Sequence, residues 1–596
     1  MSTPPRWDLS NVYPALESKE YEADFALMKG QIEGLESFFK EKVSKTDAKT
    51  PVEKLAALAG EAIERFNALQ ELAGTLRAYI QSFVTTDSHN TLAMKKMSEF
   101  QMTGVRMQVL ANQFQAWVGK ITPVLEGVIP ANPSTAAHAF TLRDTAEQSK
   151  YMMTEPEETI AAELGLSGTN AWSKLQGTVT SQLTVDFELD GKTQKLPMPA
   201  LINLHSHPDE SVRRRAYEAE LEAWKSVREP LAAAMNGVKG WANTLNQKRG
   251  RTDALHQAID MARIDRPTLE AMLAAMEASF PTFRKYYAAK ARRMGKEKLA
   301  WWDVFAPAGK SEKTYSFDEA RDFIVENFAK FSPELAGFAG NAFDQRWIDA
   351  EQREGKRGGA FCMGVPKVRE SRVLCNFDGT LDQVGTIAHE LGHGFHNHCA
   401  YQAGKTELQQ DTPMTLAETA SIMCETIVMQ AILAETKDPQ AELAILETQL
   451  IGDNQVIVDI YSRYLFEKEV FERRGKSELS PDDLCEMMER AQKSTYGDLA
   501  AYHPYMWTWK PHYYYGGLPF YNFPYAFGLL FGIGLYAIYQ QRGADFVPDY
   551  KSLLASTGEA PAADLAARFG IDLRSRKFWE DSLGVIEKRI ERYCEL

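Results

Sequence analysis

The sequence predicts a mainly α-helical fold with a small β-sheet beside one functional helix, and three observations predict it. Apolar residues recur at three- and four-residue spacing, with charges between them, over long stretches of the 596-residue chain. Strand-like alternation is confined to two short zones, within 178–198 and 355–377. The chain has no fixed-period repeat, so a solenoid is not expected.

Taken in order, residues 18–43, 53–87 and 90–127 read as amphipathic helices. Thr154-Glu155-Pro156-Glu157 has the form of a capping box that opens a helix running to about Leu164. The first strand signal is Thr178 to Leu189, and Asp190-Gly191 turns it into a second strand, Lys192 to Met198. This hairpin is taken as the end of an N-terminal helical region, 1–204, with a second region, 205–596, beyond it. Helices resume near 205, including 210–247, and continue to about 345. Gly355 to Cys362 and Ser371 to Phe377 then read as paired strands. Asp378-Gly379 is a turn, and Thr380-Leu381-Asp382-Gln383 is a capping box that starts the next helix. Farther on, Tyr525 to Leu535 is the longest near-continuous apolar run, and its length and glycines suit a buried core helix.

Composition narrows the function classes. A formal charge of −14 argues against a nucleic-acid surface. The first residues lack a basic head followed by an apolar core, and no uninterrupted apolar run reaches spanning length, so neither a signal peptide nor a membrane is expected. Six scattered cysteines without metal-type pairing suit reduced thiols, and a cytoplasmic location is the expectation.

The most specific chemistry lies in His389-Glu390-Leu391-Gly392-His393. On a helix, residues four apart stand nearly in line, so His389 and His393 can direct two imidazoles at one Zn2+ ion. Glu390 projects from the flank of the same turn, within reach of a metal-held water as general base. A third histidine in the H-E-x-x-H-x-x-G-x-x-H arrangement is ruled out, because 396 and 399 are His396 and Cys399. The other arrangement takes a glutamate from a downstream helix. Residues 411–421 read as that helix, with Thr412 as N-cap and Pro413 in the first position. Glu418 is then the third ligand. Glu425, seven residues on and on the same face, is either a carboxylate that orients a histidine or an ordinary solvated glutamate.

Two further groups are candidates. Gly358 and Gly359, with Ala360, either allow close approach of a substrate backbone or mark a bulge, and His396 either touches substrate or packs. The dense aromatic stretch from Trp507 to Tyr525 reads as a loop by its Gly-Gly and prolines. Within it His512 is the preferred electrostatic partner and Tyr525 the preferred oxyanion donor, with Tyr521 behind it; core packing is the competing account of each.

Together these residues resemble the thimet oligopeptidase and oligoendopeptidase F family of zinc peptidases, with oligoendopeptidase F the nearer likeness. The resemblance runs from Trp7-Asp8-Leu9 through Trp302-Asp303-Val304, residues 355–361, the His389–His393 motif and Leu416 to Ser421, to the His512–Tyr525 stretch. It implies a two-lobed helical ellipsoid with a deep substrate channel, one zinc ion held by His389, His393 and Glu418, and internal cleavage of short peptides with Glu390 as base. It places His512 and Tyr525 at transition-state contacts, with Tyr521 adjacent. The chain departs from the family where Phe523 stands at an expected tyrosine and where the interval after His512 is longer. The alternatives are an exopeptidase of the same fold and a non-catalytic peptide-binding protein.

Overall fold

The computed structural model describes residues 4–309 and 313–596; residues 1–3, part of the N-terminal stretch read above, and 310–312 lie outside the described residues. The fold is mostly helical with two small sheets. The elements used below are α1 (Lys19–Phe38), α2 (Val52–Thr86), α3 (Thr91–Ile121), α4 (Glu155–Ser167), α5 (Thr169–Gln182), β1 (Thr184–Leu189), β2 (Lys192–Pro197), β3 (Ile348–Asp349), β4 (Phe361–Val365), β5 (Glu370–Leu374), α6 (Leu381–Gln402), α7 (Thr419–Glu435) and α8 (Phe523–Arg542).

Packing divides the chain into two compact units that interleave along the sequence. The first comprises residues 1–152, 313–432 and 538–570; the second comprises 153–312, 433–537 and 571–596. The sequence reading instead cuts the chain once, at 204.

The first unit is built on α1 to α3. The Ser18 hydroxyl caps α1 through the Tyr21 amide, and the Asn90 carbonyl oxygen caps α3 through the Ala93 amide. One face of each helix is buried: Met28, Ile32 and Leu35 of α1 share a core with Ile63, Leu69 and Leu76 of α2 and Leu110 and Phe114 of α3. Each such aliphatic side chain contributes about 1.5–3 kcal/mol on full burial. Against α2 lies β4, an end strand in a sheet ordered β3-β5-β4, with β4 antiparallel and β3 parallel to β5. Both β4 and β5 also touch α6, so the sheet helps position the helix of the His-Glu motif.

Also in this unit, burial and the neighbouring Glu71 push the Glu407 carboxyl up to about 7. The protonated form favours the fold, so its contribution is complete below the ordinary value of 4.5 and is lost as the pH rises to about 7. Glu407→Gln is expected to raise Tm at pH 8 and to leave it unchanged at pH 4, measured by thermal melts at both values.

The second unit contains the α4–α5 pair and the β1–β2 hairpin, which turns at Asp190-Gly191 with Thr184 opposite Pro197. Thr154 and Glu157 form the expected capping box at the start of α4. Later in the unit, α8 begins at Phe523 and buries Phe527, Leu530, Phe531 and Ile533, as expected of a core helix.

Several boundaries differ from the sequence reading. Residues 178–182 belong to α5, where Thr180 turns its hydroxyl back onto the Gln176 carbonyl at 2.9 Å, a bond that accommodates threonine in a helix. The stretch 210–247 is two helices with Val227 between them. The strand expected from Gly355 starts only at Phe361. Gly355 and Gly359 have φ of +80° and +79°, outside strand geometry, and Lys356 Nζ binds the carbonyls of Asp349, Glu351 and Cys375. Thr380 does cap α6 through the Gln383 amide. Its own amide and hydroxyl, however, donate to Asp378, where the capping box calls on Gln383.

Two helical stretches among the described residues, Met414–Glu435 and Phe523–Ala555, are long and apolar enough to cross a membrane by length and mean hydropathy. A count of uninterrupted apolar residues passes over both. Their most apolar windows are 61% and 67% buried inside the protein, which suits core helices.

Candidate metal centre

The helix α6 is held where its middle, at Gly392, meets the start of α7. At Gly392 an added Cβ would stand 2.6 Å from both the Ala420 carbonyl oxygen and Ser421 Cα, so only glycine admits this backbone approach. The crossing brings Glu418 beside the two histidines. Glu418 Oε2 lies 3.2 Å from His389 Nε2 and 3.3 Å from His393 Nε2, and these are the three residues among those described that can hold a metal ion together.

The spacing itself tests the fit. A tetrahedral zinc ion with bonds of about 2.0–2.1 Å sets its ligand atoms roughly 3.3–3.4 Å apart. The two oxygen–nitrogen distances match such an edge, and two imidazoles with one carboxylate are a zinc-type donor set. His389 Nδ1 is 2.9 Å from Glu425 Oε2. In the neutral ring this contact favours the proton on Nδ1, which would leave Nε2 to a metal. Burial alone would lower the His389 imidazole, but hydrogen bonds to Glu418 and Glu425 push it up to about 10. Burial likewise opposes ionisation of Glu418, yet its bonds to His389 and His393 hold the carboxyl well below its usual range.

Glu390 stands apart from the three. Its side chain is buried, and Oε2 has no hydrogen-bond partner among the described residues. Burial raises its pKa, against the opposing pull of His389 and His393. A buried carboxylate with an unused acceptor, one residue from a ligand, is equipped to take a proton.

The segment leading to Glu418 differs in detail from the expected helix. A single turn, Met414–Ala417, precedes Glu418, whose backbone (φ −87°, ψ 4°) interrupts the helix before α7. Pro413, and not Thr412, occupies the N-cap position. The Thr412 hydroxyl is engaged elsewhere, 2.7 Å from the Thr557 hydroxyl. Thr557 also meets His396 Nε2 at 2.8 Å. His396 is buried, and burial lowers it to about 4. Of the two readings of His396, this placement favours packing: its bonded nitrogen joins a buried link from α6 through Thr557 to the Thr412 turn.

Gly358, Gly359 and Ala360 lie in the loop immediately before β4, so the glycines do not form a strand bulge. Gly358 and Gly359 are exposed, no atom lies within 4 Å of an added Cβ at either, and the Gly359 carbonyl accepts from Asn376 Nδ2 at 2.9 Å.

The aromatic candidates belong to the second unit. Most of the stretch is core: Trp507, Tyr513, Tyr514 and Phe523 are buried, and the expected loop includes the short helix Met506–Trp509 and a 3-10 turn at Pro511–Tyr514. The structure does bring three candidates together. The His512 ring stacks on Tyr521 at 4.8 Å and 10°, and the Tyr525 hydroxyl lies 3.4 Å from that of Tyr521. Burial, then Arg463 and Lys510, lower His512 to about 4, so its ring is a neutral N–H donor at pH 7. Tyr525 is 37% exposed and presents its phenol at the surface of α8.

Sequence reasoning missed Ser421 and Thr557. Ser421 was within the helix it singled out, three residues after Glu418, where a hydroxyl can reach back along the helix. Nothing local flags Thr557, which lies 161 residues from its partner His396.

Comparison with known proteins adds a family-level match. The family described as Peptidase family M3 matches residues 203–585, and that described as Oligopeptidase F matches residues 123–184. An oligoendopeptidase F homolog of Lactococcus lactis subsp. lactis (strain IL1403) is 24% identical over 398 residues, 66% of this chain and 65% of that protein. An oligopeptidase of Bacillus subtilis (strain 168) is 21% identical over 473 residues, 77% of this chain and 69% of that protein. Among solved structures, a peptidase from Chlamydophila abortus has a TM-score of 0.85 at 20% identity, covering 99% of this chain and 98% of that one. Oligoendopeptidase-F from Enterococcus faecium has a TM-score of 0.70 at 16% identity, covering 97% and 98%. At these identities the structures speak to fold.

Proposed function

The chain belongs to peptidase family M3, and from that premise we propose that it is a zinc-dependent endopeptidase that hydrolyses internal bonds of short oligopeptides. The observation that carries this reading is the convergence of His389 Nε2, His393 Nε2 and Glu418 Oε2, with Glu390 on the same helix keeping an Oε2 that has no hydrogen-bond partner among the described residues. Family membership and the oligoendopeptidase names of relatives such as the Lactococcus lactis protein support peptide substrates. Six free cysteines suit a cytoplasmic setting.

His389, His393 and Glu418 would hold the ion, and Glu425 keeps His389 in the ligating tautomer. A zinc ion bound there supplies Lewis acidity to the scissile carbonyl and the attacking water. Glu390 accepts the proton of that water and delivers it to the departing amine. As an end strand among the described residues, β4, with Gly358, Gly359 and Ala360 leading into it, is the strand assigned to bind an extended peptide through main-chain groups. The family resemblance assigns Tyr525 and His512 to the developing negative oxygen; within the second unit Tyr521 links them through its stack and its hydroxyl. Tyr525→Phe is expected to lower kcat by about 10²–10³-fold with little change in KM; an equal loss in Tyr521→Phe alone would transfer the role to that residue.

The deciding assay uses an internally quenched peptide of about ten residues, blocked at both termini so that only endoproteolysis gives signal. Internal cleavage that stops on chelation and returns with zinc supports the proposal. Cleavage only of peptides with free termini would replace it with an exopeptidase, and zinc binding without any turnover with a peptide-binding protein.

A further inference from the structure

We propose that Ser421 is a positioning residue of the metal centre, whose hydroxyl selects Glu418 Oε2 as the ligating oxygen and holds it there. This deepens the zinc reading above and rests on it. Ser421 Oγ lies 2.6 Å from Glu418 Oε2, the same oxygen that faces both imidazoles.

The ordinary account of a serine in a helix is a back-bond to a carbonyl one turn earlier, and Ser421 Oγ does stand 3.0 Å from the Glu418 carbonyl. A hydroxyl has one proton to give. The carboxylate is the nearer acceptor, and it carries the charge that makes such a bond about twice as strong as a neutral one. The proton therefore goes to Oε2. That oxygen keeps a second lone pair for a metal, while rotation of the carboxyl group is arrested.

Arrest matters at this position. Glu418 sits where the helix is interrupted, so the regular backbone of α7 begins only after it. Ser421 is within that regular helix, fully buried, and its Cα is packed against Gly392 at the helix crossing. The hydroxyl thus transfers the rigidity of the α6–α7 contact to a carboxylate at an irregular point of the chain.

The test is a chelator-competition measurement of zinc dissociation on the full-length holoenzyme, for the unmodified protein, Ser421→Ala and Thr419→Ala. Thr419 is an internal control: it is also buried in α7, but among the described residues its hydroxyl bonds only the Leu416 carbonyl, at 2.7 Å. Loss of an outer partner of a metal ligand weakens affinity about 10–100-fold. That loss is expected in Ser421→Ala and not in Thr419→Ala, with activity of the serine variant restored by excess zinc at an unchanged KM. If Ser421→Ala fails to fold, Ser421→Gly removes the same hydroxyl and serves in its place. Zinc affinity unchanged in the serine variant, or weakened equally in both, would overturn the proposal. An unmodified protein that binds no zinc would instead remove the metal reading beneath it.

Discussion

Replacing Glu390 with Gln is expected to lower kcat by roughly 10²–10⁴-fold while the protein keeps its zinc and its affinity for peptide. The change is nearly isosteric and removes only the capacity to accept a proton. Glu390 is not among the three residues whose donor atoms converge, so metal content has no reason to fall. Its Oε2 has no hydrogen-bond partner among the described residues, so no structural bond at that atom is lost. Burial that raises the Glu390 pKa also makes the charged form costly, which predicts a variant at least as stable as the unmodified protein. Turnover of the blocked peptide, zinc content by metal analysis and a thermal melt separate these effects. Full activity with zinc retained would remove Glu390 from the chemistry.

What the sequence discloses about the centre follows the range of the interactions. His389, Glu390 and His393 are legible because helical periodicity relates residues one turn apart with no knowledge of the rest of the chain. Glu418 and Glu425 are legible at one remove, since a spacing of seven puts both on one face of the expected second helix, which the structure interrupts at Glu418. The bond between Glu425 and His389 is just what that placement allows. Ser421 and Gly392 belong to the same two segments, yet their roles depend on how the helices cross, and the crossing is a tertiary contact. His396 shows the same dependence. Sequence left it between substrate contact and packing, and the partner that favours packing, Thr557, lies far along the chain. In the fold, the strand zone was found but begun six residues early, because alternation of residue type says nothing of the positive φ that Gly355 and Gly359 adopt. The aromatic stretch mixes buried core rings with exposed Tyr525 in one run, and composition alone cannot sort them.

Glu418→Gln is expected to abolish retained zinc and, with it, activity. The residue contributes the only negative charge among three donors, the other two being imidazoles that must be neutral to ligate. A glutamine keeps the size of the side chain but offers a neutral oxygen, so the loss of affinity should exceed the roughly 10–100-fold typical of an outer partner. Loss of a fold-stabilising contact is a competing explanation, since Glu418 also pairs with His389 and His393 in the absence of metal. Circular dichroism and a melt on metal-stripped protein separate the two: a ligand role predicts similar helicity for variant and parent after stripping, with zinc raising the Tm of the parent alone. Set beside Glu390→Gln, which keeps metal and loses turnover, this variant loses both. That contrast distinguishes a ligand from a base within one helical crossing. Stoichiometric zinc in Glu418→Gln after dialysis would mean that the third ligand lies elsewhere and that the 3.2 and 3.3 Å approaches to the imidazoles are ion pairs only.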